Sequence, residues 1–216
     1  MNIQKFNNTP QKANFTAIPI RDVNLLDKKG NKTLKATIVE LERSCDKDMF
    51  TLERTLEKEP NNSFKCLLAS ILESLKNKNL GDTKVFALTV PEGKDMKILG
   101  CMNLTPIESN AKKRLYLNNL YVTDNFATRN DSRQVKGVGE TLLAQAINLA
   151  KNIKANALAF QSIDDNFYIH SFNSAKLENT KSPNFSVFHV HDTEYNKYLD
   201  YCGSKYESNF SKDINE

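Results

Sequence analysis

The chain has 216 residues, 39% hydrophobic and 26% charged, with twelve Phe, seven Tyr and no Trp. That balance suits one globular domain with an N-terminal extension and excludes a disordered chain. Thirty basic against 26 acidic residues leave a formal charge of +4, an excess too small for this length to indicate a nucleic-acid binder. No apolar run approaches the roughly 18 residues of a membrane span, and Met1 to Thr9 has no apolar signal core. A cytoplasmic protein with no membrane partner is therefore expected. Cys45, Cys66, Cys101 and Cys202 lie far apart, so no Cys-x-x-Cys motif exists. Cys66 and Cys101 sit in apolar runs and read as buried thiols.

In chain order, residues 1–13 are polar and read as loosely ordered, and residues 1–33 as an extension in which Phe15 to Ile20 could form a short strand. Lys28 to Lys32 reads as a basic turn, and Leu34 to Leu41 as a strand. Asp46 to Glu57 carries Met49, Phe50, Leu52 and Leu56 and reads as a helix. Ser63 to Asn77 places Phe64, Leu67, Leu68, Ile71, Leu72 and Leu75 on one apolar stripe, with Ser63 as the N-cap.

Val85 to Val90, Lys97 to Leu104 and Leu115 to Val122 read as three strands. In the last, alternation sends Leu115, Leu117, Asn119 and Tyr121 to one face and Tyr116, Asn118, Leu120 and Val122 to the other. A polar loop, Thr123 to Arg133, precedes a helix from Gly137 to Ile153. A strand at Ala157 to Gln161, a helix from Asp164 to Ala175 and a strand at Phe185 to His191 follow. Residues 192–216 form a polar tail with room for a short helix. A strand meander followed by a strand–helix–strand unit implies an α/β fold, a mixed sheet with helices on both faces.

The sharpest local signal is Gly137-Val138-Gly139, which opens an amphipathic helix after a strand and a loop. Unpaired N–H groups and the positive end of the macrodipole make a helix start a phosphate site, and glycines let the ligand approach. Arg133 and Lys136 add charge. The same glycines can also serve a plain turn. Leu142 stands where a dinucleotide fingerprint needs its third Gly, and no Gly-Lys-Ser/Thr follows for a P-loop.

Leu120-Tyr121-Val122, then Gln134-Val135-Lys136-Gly137-Val138-Gly139 and Leu142-Leu143, resemble motif A of the GNAT acyltransferases, a Gln/Arg-x-x-Gly-x-Gly/Ala pattern between a strand and a helix. The order of elements over residues 34–191 is also similar. The resemblance implies an α+β fold with a mixed, mostly antiparallel central sheet flanked by helices on both faces. It further implies that the backbone of Gln134 to Glu140 holds the acetyl-CoA pyrophosphate, and that Leu120, Tyr121 and Val122 contribute the strand against which the pantetheine arm pairs. The eleven residues from Thr123 to Arg133 exceed the family's spacing; they read equally as a substrate-facing flap or a surface loop.

Acyl transfer to an amine needs a base for the amine, a donor to the carbonyl and an acid for the thiolate. By resemblance the acid is Tyr168 in Asn166-Phe167-Tyr168, although the family's following Gly-Phe is replaced by Ser171-Phe172-Asn173. Asn118 and Asn119 stand where many relatives carry a carboxylate; an amide can orient water or an amine but takes no proton. His189 and His191 share a strand face with no further ligand at metal spacing, so no metal is expected. The expected activity is N-acetyl transfer from acetyl-CoA to a primary amine of a small molecule or peptide, with no nucleic-acid partner; a homodimer is compatible with the chain. The missing carboxylate keeps a second reading open, a catalytically degenerate CoA-binding or interaction module.

Overall fold

The computed structural model describes residues 17–27, 29–43, 45–77, 81–93, 95–109, 112–123, 135–162, 164–178, 180–182 and 187–210. Seven strands form one sheet in sequence order: β1 Ile18–Leu26, β2 Lys32–Leu41, β3 Lys84–Glu92, β4 Asp95–Ser109, β5 Lys112–Val122, β6 Ala157–Gln161 and β7 Val187–His191. Every neighbouring pair is antiparallel except β5 and β6. The expected mixed, mostly antiparallel sheet is therefore observed.

Helices cover both faces. On one side lie α1 Asp46–Lys58 and α2 Asn62–Lys76. Leu52, Leu68, Ile71, Leu72 and Leu75 meet Val39, Val85, Ala87, Ile98, Cys101 and Tyr121 in a compact core. Each such aliphatic side chain contributes roughly 1.5–3 kcal/mol when fully buried, which offsets the cost of ordering two short helices. The N-cap of α2 is Asn61, whose side chain accepts from the Ser63 N–H at 2.9 Å, so the expected Ser63 cap is displaced by two residues. Phe50, expected on the apolar side of α1, is 58% exposed. Cys66 faces solvent because it falls on the outward side of α2, whereas Cys101 is buried and its thiol is pushed well above the usual range by that burial.

The other face carries α3 Val138–Asn152, α4 Asp165–Ser174 and α5 Tyr195–Tyr206. In α3 every residue from Val138 to Ala150 is buried, polar ones included. The sequence marked only one stripe of this helix as inward. The remaining sides are covered by α5, which packs on α3 and reaches β1. Residues 18–26, placed by sequence in an extension, are the edge strand of the same sheet, and the tail beyond residue 192 supplies Tyr195, Tyr198, Leu199, Cys202 and Tyr206 to the same core.

Two features of β5 position the site. Asn103 pairs with Asn119 and Leu104 with Leu117, so Asn118 is the extra residue of a β-bulge. The bulge resets the alternation: Leu115, Leu117, Leu120 and Val122 all contact the α3 core, while Asn119 and Tyr121 turn to the α2 side. A strict two-residue period, as read from sequence, cannot show this. In addition, β5 pairs with β6 only through Arg114–Tyr116. Among the described residues β6 pairs with β5 no further than Tyr116, so the two parallel strands part on the side of the start of α3.

Candidate active site

The glycine loop enters α3 through a short antiparallel bridge. Lys136 N–H donates to the Leu26 carbonyl at 2.6 Å, and Leu26 N–H donates back at 3.2 Å. The Lys136 amide is thereby engaged by β1, which narrows the backbone set available to a phosphate. Gly137 is the helix N-cap, with φ 107° and ψ −6°. That left-handed conformation strains any residue with a Cβ, and a Cβ here would also overlap the Tyr206 ring. At Gly139 a Cβ would lie 2.8 Å from the Phe167 ring. Both glycines are thus required by aromatic side chains of α5 and α4, independently of any ligand. Gly137 brings no capping side chain, so the first-turn N–H groups of Val138, Gly139 and Glu140 have no partner within the helix. Val135 and Val138 are buried in the core and contribute backbone only. Gln134, Arg133 and most of the 123–133 loop lie outside the described residues.

Glu140 sits in the first turn of α3 but its carboxylate points at α5. It is 7% exposed and accepts from the Tyr206 hydroxyl and from Lys205 Nζ at 2.8 Å. A carboxylate at the positive end of a helix is stabilised there, and it holds the Tyr206 phenol far above its ordinary range, after desolvation, the larger cause. Lys205 also donates to the Tyr201 hydroxyl at 2.6 Å.

Tyr168 lies on α4 among Phe160, Phe167, Phe172 and Phe188, with ring centroids 4.4 to 6.2 Å away. Asp164 caps α4 by accepting from the Phe167 N–H at 3.3 Å. Because Phe167 rests on Gly139, its neighbour Tyr168 is carried to the same end of the sheet as the glycine loop. The two segments that the sequence singled out separately therefore meet. Tyr168 is 7% exposed; burial, with Asp164 adding to it, pushes its phenol above the usual value of 10, so the proton is held at neutral pH.

Asn118 and Asn119 belong to a polar ladder on the α2 side. Asn118 Nδ2 donates to Thr105 Oγ1 at 2.7 Å. Asn119 Nδ2 donates to Asn103 Oδ1 at 3.0 Å and to Ser70 Oγ at 3.1 Å, and Asn103 donates to Ser74 Oγ at 2.7 Å. Both amides bind other side chains of the sheet and α2, and neither reaches Tyr168 by a hydrogen bond.

One constellation had no sequence signal. The Tyr121 ring is buried on the α2 side, and its hydroxyl donates to the Glu59 carboxylate. Glu59, just before Pro60 in the α1–α2 connection, is 4% exposed, and its other oxygen accepts from the Asn61 N–H at 3.0 Å. A cavity of about 420 Å³ opens onto this pair. A second cavity, about 870 Å³, lies at the opposite end of the sheet beside Glu40, Arg43, Glu108 and Lys113.

No protein-family model matches the chain, and no curated protein matches it. Solved structures do. The chain is similar to AtaTR bound with acetyl-CoA, with TM-score 0.55 and 14% identity over 74% of this chain and 96% of that one. It is similar to AtaT complexed with acetyl-methionyl-tRNAfMet, with TM-score 0.53 and 13% identity over 74% and 97% of the two chains. It is also similar to the AtaT–AtaR complex bound to DNA, with TM-score 0.50 and 15% identity over 74% and 97%. At such identities the likeness defines the fold, and the fold is GNAT-like. These neighbours also overturn the expectation of a small-molecule or peptide acceptor and no nucleic acid, since two of them were solved with tRNA and with DNA. A net charge of +4 was a poor guide because it counts charges without regard to their placement.

Proposed function

We propose that the chain is an N-acetyltransferase that uses acetyl-CoA to acetylate a primary amine. The observation that carries this is the convergence of three elements at one end of the sheet: the end of the β5–β6 ladder at Tyr116, the first-turn N–H groups of α3 that lack a partner within the helix, and the start of α4, whose Phe167 meets Gly139 and carries Tyr168 beside it. In this reading Val138, Gly139 and Glu140 donate backbone N–H groups to the pyrophosphate, and Val135 to Gly137 lead into them. Leu120 and Val122, which pair with β4 on one side, would present their other backbone edge to the pantetheine amides as an added strand would. Donors held rigidly by a helix need no reorganisation when they meet negative charge.

Tyr168 is the acid for the departing thiolate. A phenol held neutral by burial is protonated throughout the neutral range, and the Phe167–Gly139 contact sets the start of its helix beside the glycine loop. Asn118 and Asn119 orient a water or the acceptor. An amine carried by a nucleic acid is the first acceptor class to test, because AtaT shares the fold and was solved with acetyl-methionyl-tRNAfMet.

Calorimetry with acetyl-CoA tests the donor site: binding is expected in the wild type, and its absence at millimolar ligand sinks the proposal. Tyr168→Phe is expected to keep that affinity while lowering turnover by about 10²-fold or more. The second reading, a CoA-binding module without turnover, is favoured by the two asparagines at the carboxylate positions, whose amide nitrogens are already bonded. Acetyl-CoA binding with no CoA release over a panel of aminoacyl-tRNAs and other amines would select it.

A further inference from the structure

The proposed transfer needs a group that takes the proton of the incoming ammonium, and β5 offers only the amides of Asn118 and Asn119 at its bulge. One residue past Leu120, Tyr121 turns its side chain through the sheet to the α2 side, and its hydroxyl donates to a carboxylate that is almost wholly enclosed. Burying a carboxylate is costly unless it is hydrogen-bonded. Here one oxygen of Glu59 is met by a backbone N–H and the other by Tyr121, and both residues line the 420 Å³ cavity. The charged groups facing it are Arg54 and Lys58 from α1, Glu92 from β3, and Asp95 and Lys97 from β4. Arg54 is paired with Asp95 at 3.3 Å, and of the remaining charged lining groups Glu59 is the buried one.

We propose that this cavity binds a primary ammonium group and that Glu59, through Tyr121, is the proton acceptor of the transfer. This deepens the acetyltransferase reading and rests on it. The ammonium gives one proton to the Tyr121 hydroxyl, which passes its own to the Glu59 carboxylate. The freed lone pair forms the C–N bond at the acetyl carbonyl, the C–S bond breaks, and the thiolate takes the Tyr168 proton. The second proton lost by the nitrogen restores Tyr168, and Glu59 releases its proton to solvent. The net change is one acetyl group moved and one proton released.

The test uses the full chain with acetyl-CoA present. Butylammonium serves as the cation probe, read by NMR of labelled tyrosine rings, and acetyl transfer to aminoacyl-tRNAs is followed against pH. Glu59→Gln conserves shape and can still accept from Asn61. It is expected to leave acetyl-CoA affinity unchanged, to abolish the saturable butylammonium shift of Tyr121, and to lower kcat/KM about 100-fold or more with loss of the acidic limb of the profile. Tyr121→Phe, which retains the carboxylate, is expected to keep butylammonium binding while lowering turnover. The proposal is overturned if Glu59→Gln binds butylammonium as the wild type does, if its pH profile is unchanged, or if the folded wild type shows no saturable shift at all. Failure of the wild type to bind acetyl-CoA would instead remove the underlying acetyltransferase reading, and this proposal with it.

Discussion

The two faces of the sheet are held together by different chemistry. Under α3, α4 and α5 the contacts are aromatic and close: Tyr206 lies on Gly137, Phe167 on Gly139, and Tyr168 packs among four phenylalanines. Almost every side of α3 is buried. Under α1 and α2 the sheet carries a ladder of amides and hydroxyls, a buried carboxylate and a cavity. The first face suits a rigid frame for the donor. The second has polar groups and space, which is what an acceptor site requires. Perturbing each face should therefore give distinct signatures.

The largest effect expected is on the α3 face at high pH. Burial raises the phenols of Tyr168, Tyr198 and Tyr206 above 10 in the folded chain, and in the unfolded chain they titrate near 10. A raised folded-state value means that their contribution is fully present below about pH 10 and lost as the pH rises beyond it. Three such groups cost about 4 kcal/mol by pH 11. Denaturant midpoints measured from pH 8 to 11 should be flat and then fall steeply, with amide protection in α5 lost at the onset. A midpoint unchanged at pH 11 would break the picture of a closed aromatic face.

Gly137→Ala comes next. It combines a left-handed backbone, roughly 1–2 kcal/mol for a residue with a Cβ, with overlap against Tyr206, roughly 1–3 kcal/mol. A loss of about 3 kcal/mol is expected in chemical denaturation; in a cycle with Tyr206→Ala, itself destabilising, the two losses should sum to less than their separate values because the overlap is gone once the ring is removed. Tyr206→Phe alone removes one donor from the buried Glu140 carboxylate while Lys205 remains, which should cost about 2 kcal/mol. In a cycle with Glu140→Gln, the coupling between the two positions measures the contact directly. A coupling near zero would mean that Tyr206 holds the loop by packing alone.

These residues also show what a sequence can reveal. The glycine pair, the apolar stripe of α2 and the strand meander are local patterns, and the fold they imply is the one observed. The meeting of the glycine loop with Tyr168 was legible only through family resemblance, since nothing local links residue 139 to residue 167. The parity of β5 was read wrongly past Leu117, because a bulge adds one residue without a compositional mark. The full burial of α3 depends on α5, a segment whose tyrosines and lysines look polar in sequence. Glu59 was invisible for a related reason: a carboxylate beside Pro60 reads as a solvated loop until Tyr121, 62 residues away, is seen to meet it.

The smallest effect expected tests the second face. Asn119→Ala removes donors to Asn103 and Ser70. Asn119 is half-buried, so water can reach part of what is lost, and the expected cost is about 1 kcal/mol rather than the full penalty of an orphaned buried group. Its consequence for function should be separable from that loss. If the ladder only ties α2 to the sheet, acetyl-CoA affinity and turnover both stay within about twofold once the variant is folded. If Asn119 orients the acceptor, kcat/KM falls while acetyl-CoA affinity holds, because the proposed donor site lies on the opposite face, at the start of α3. A drop in donor affinity would instead join the two faces into one site and remove the division of labour between them.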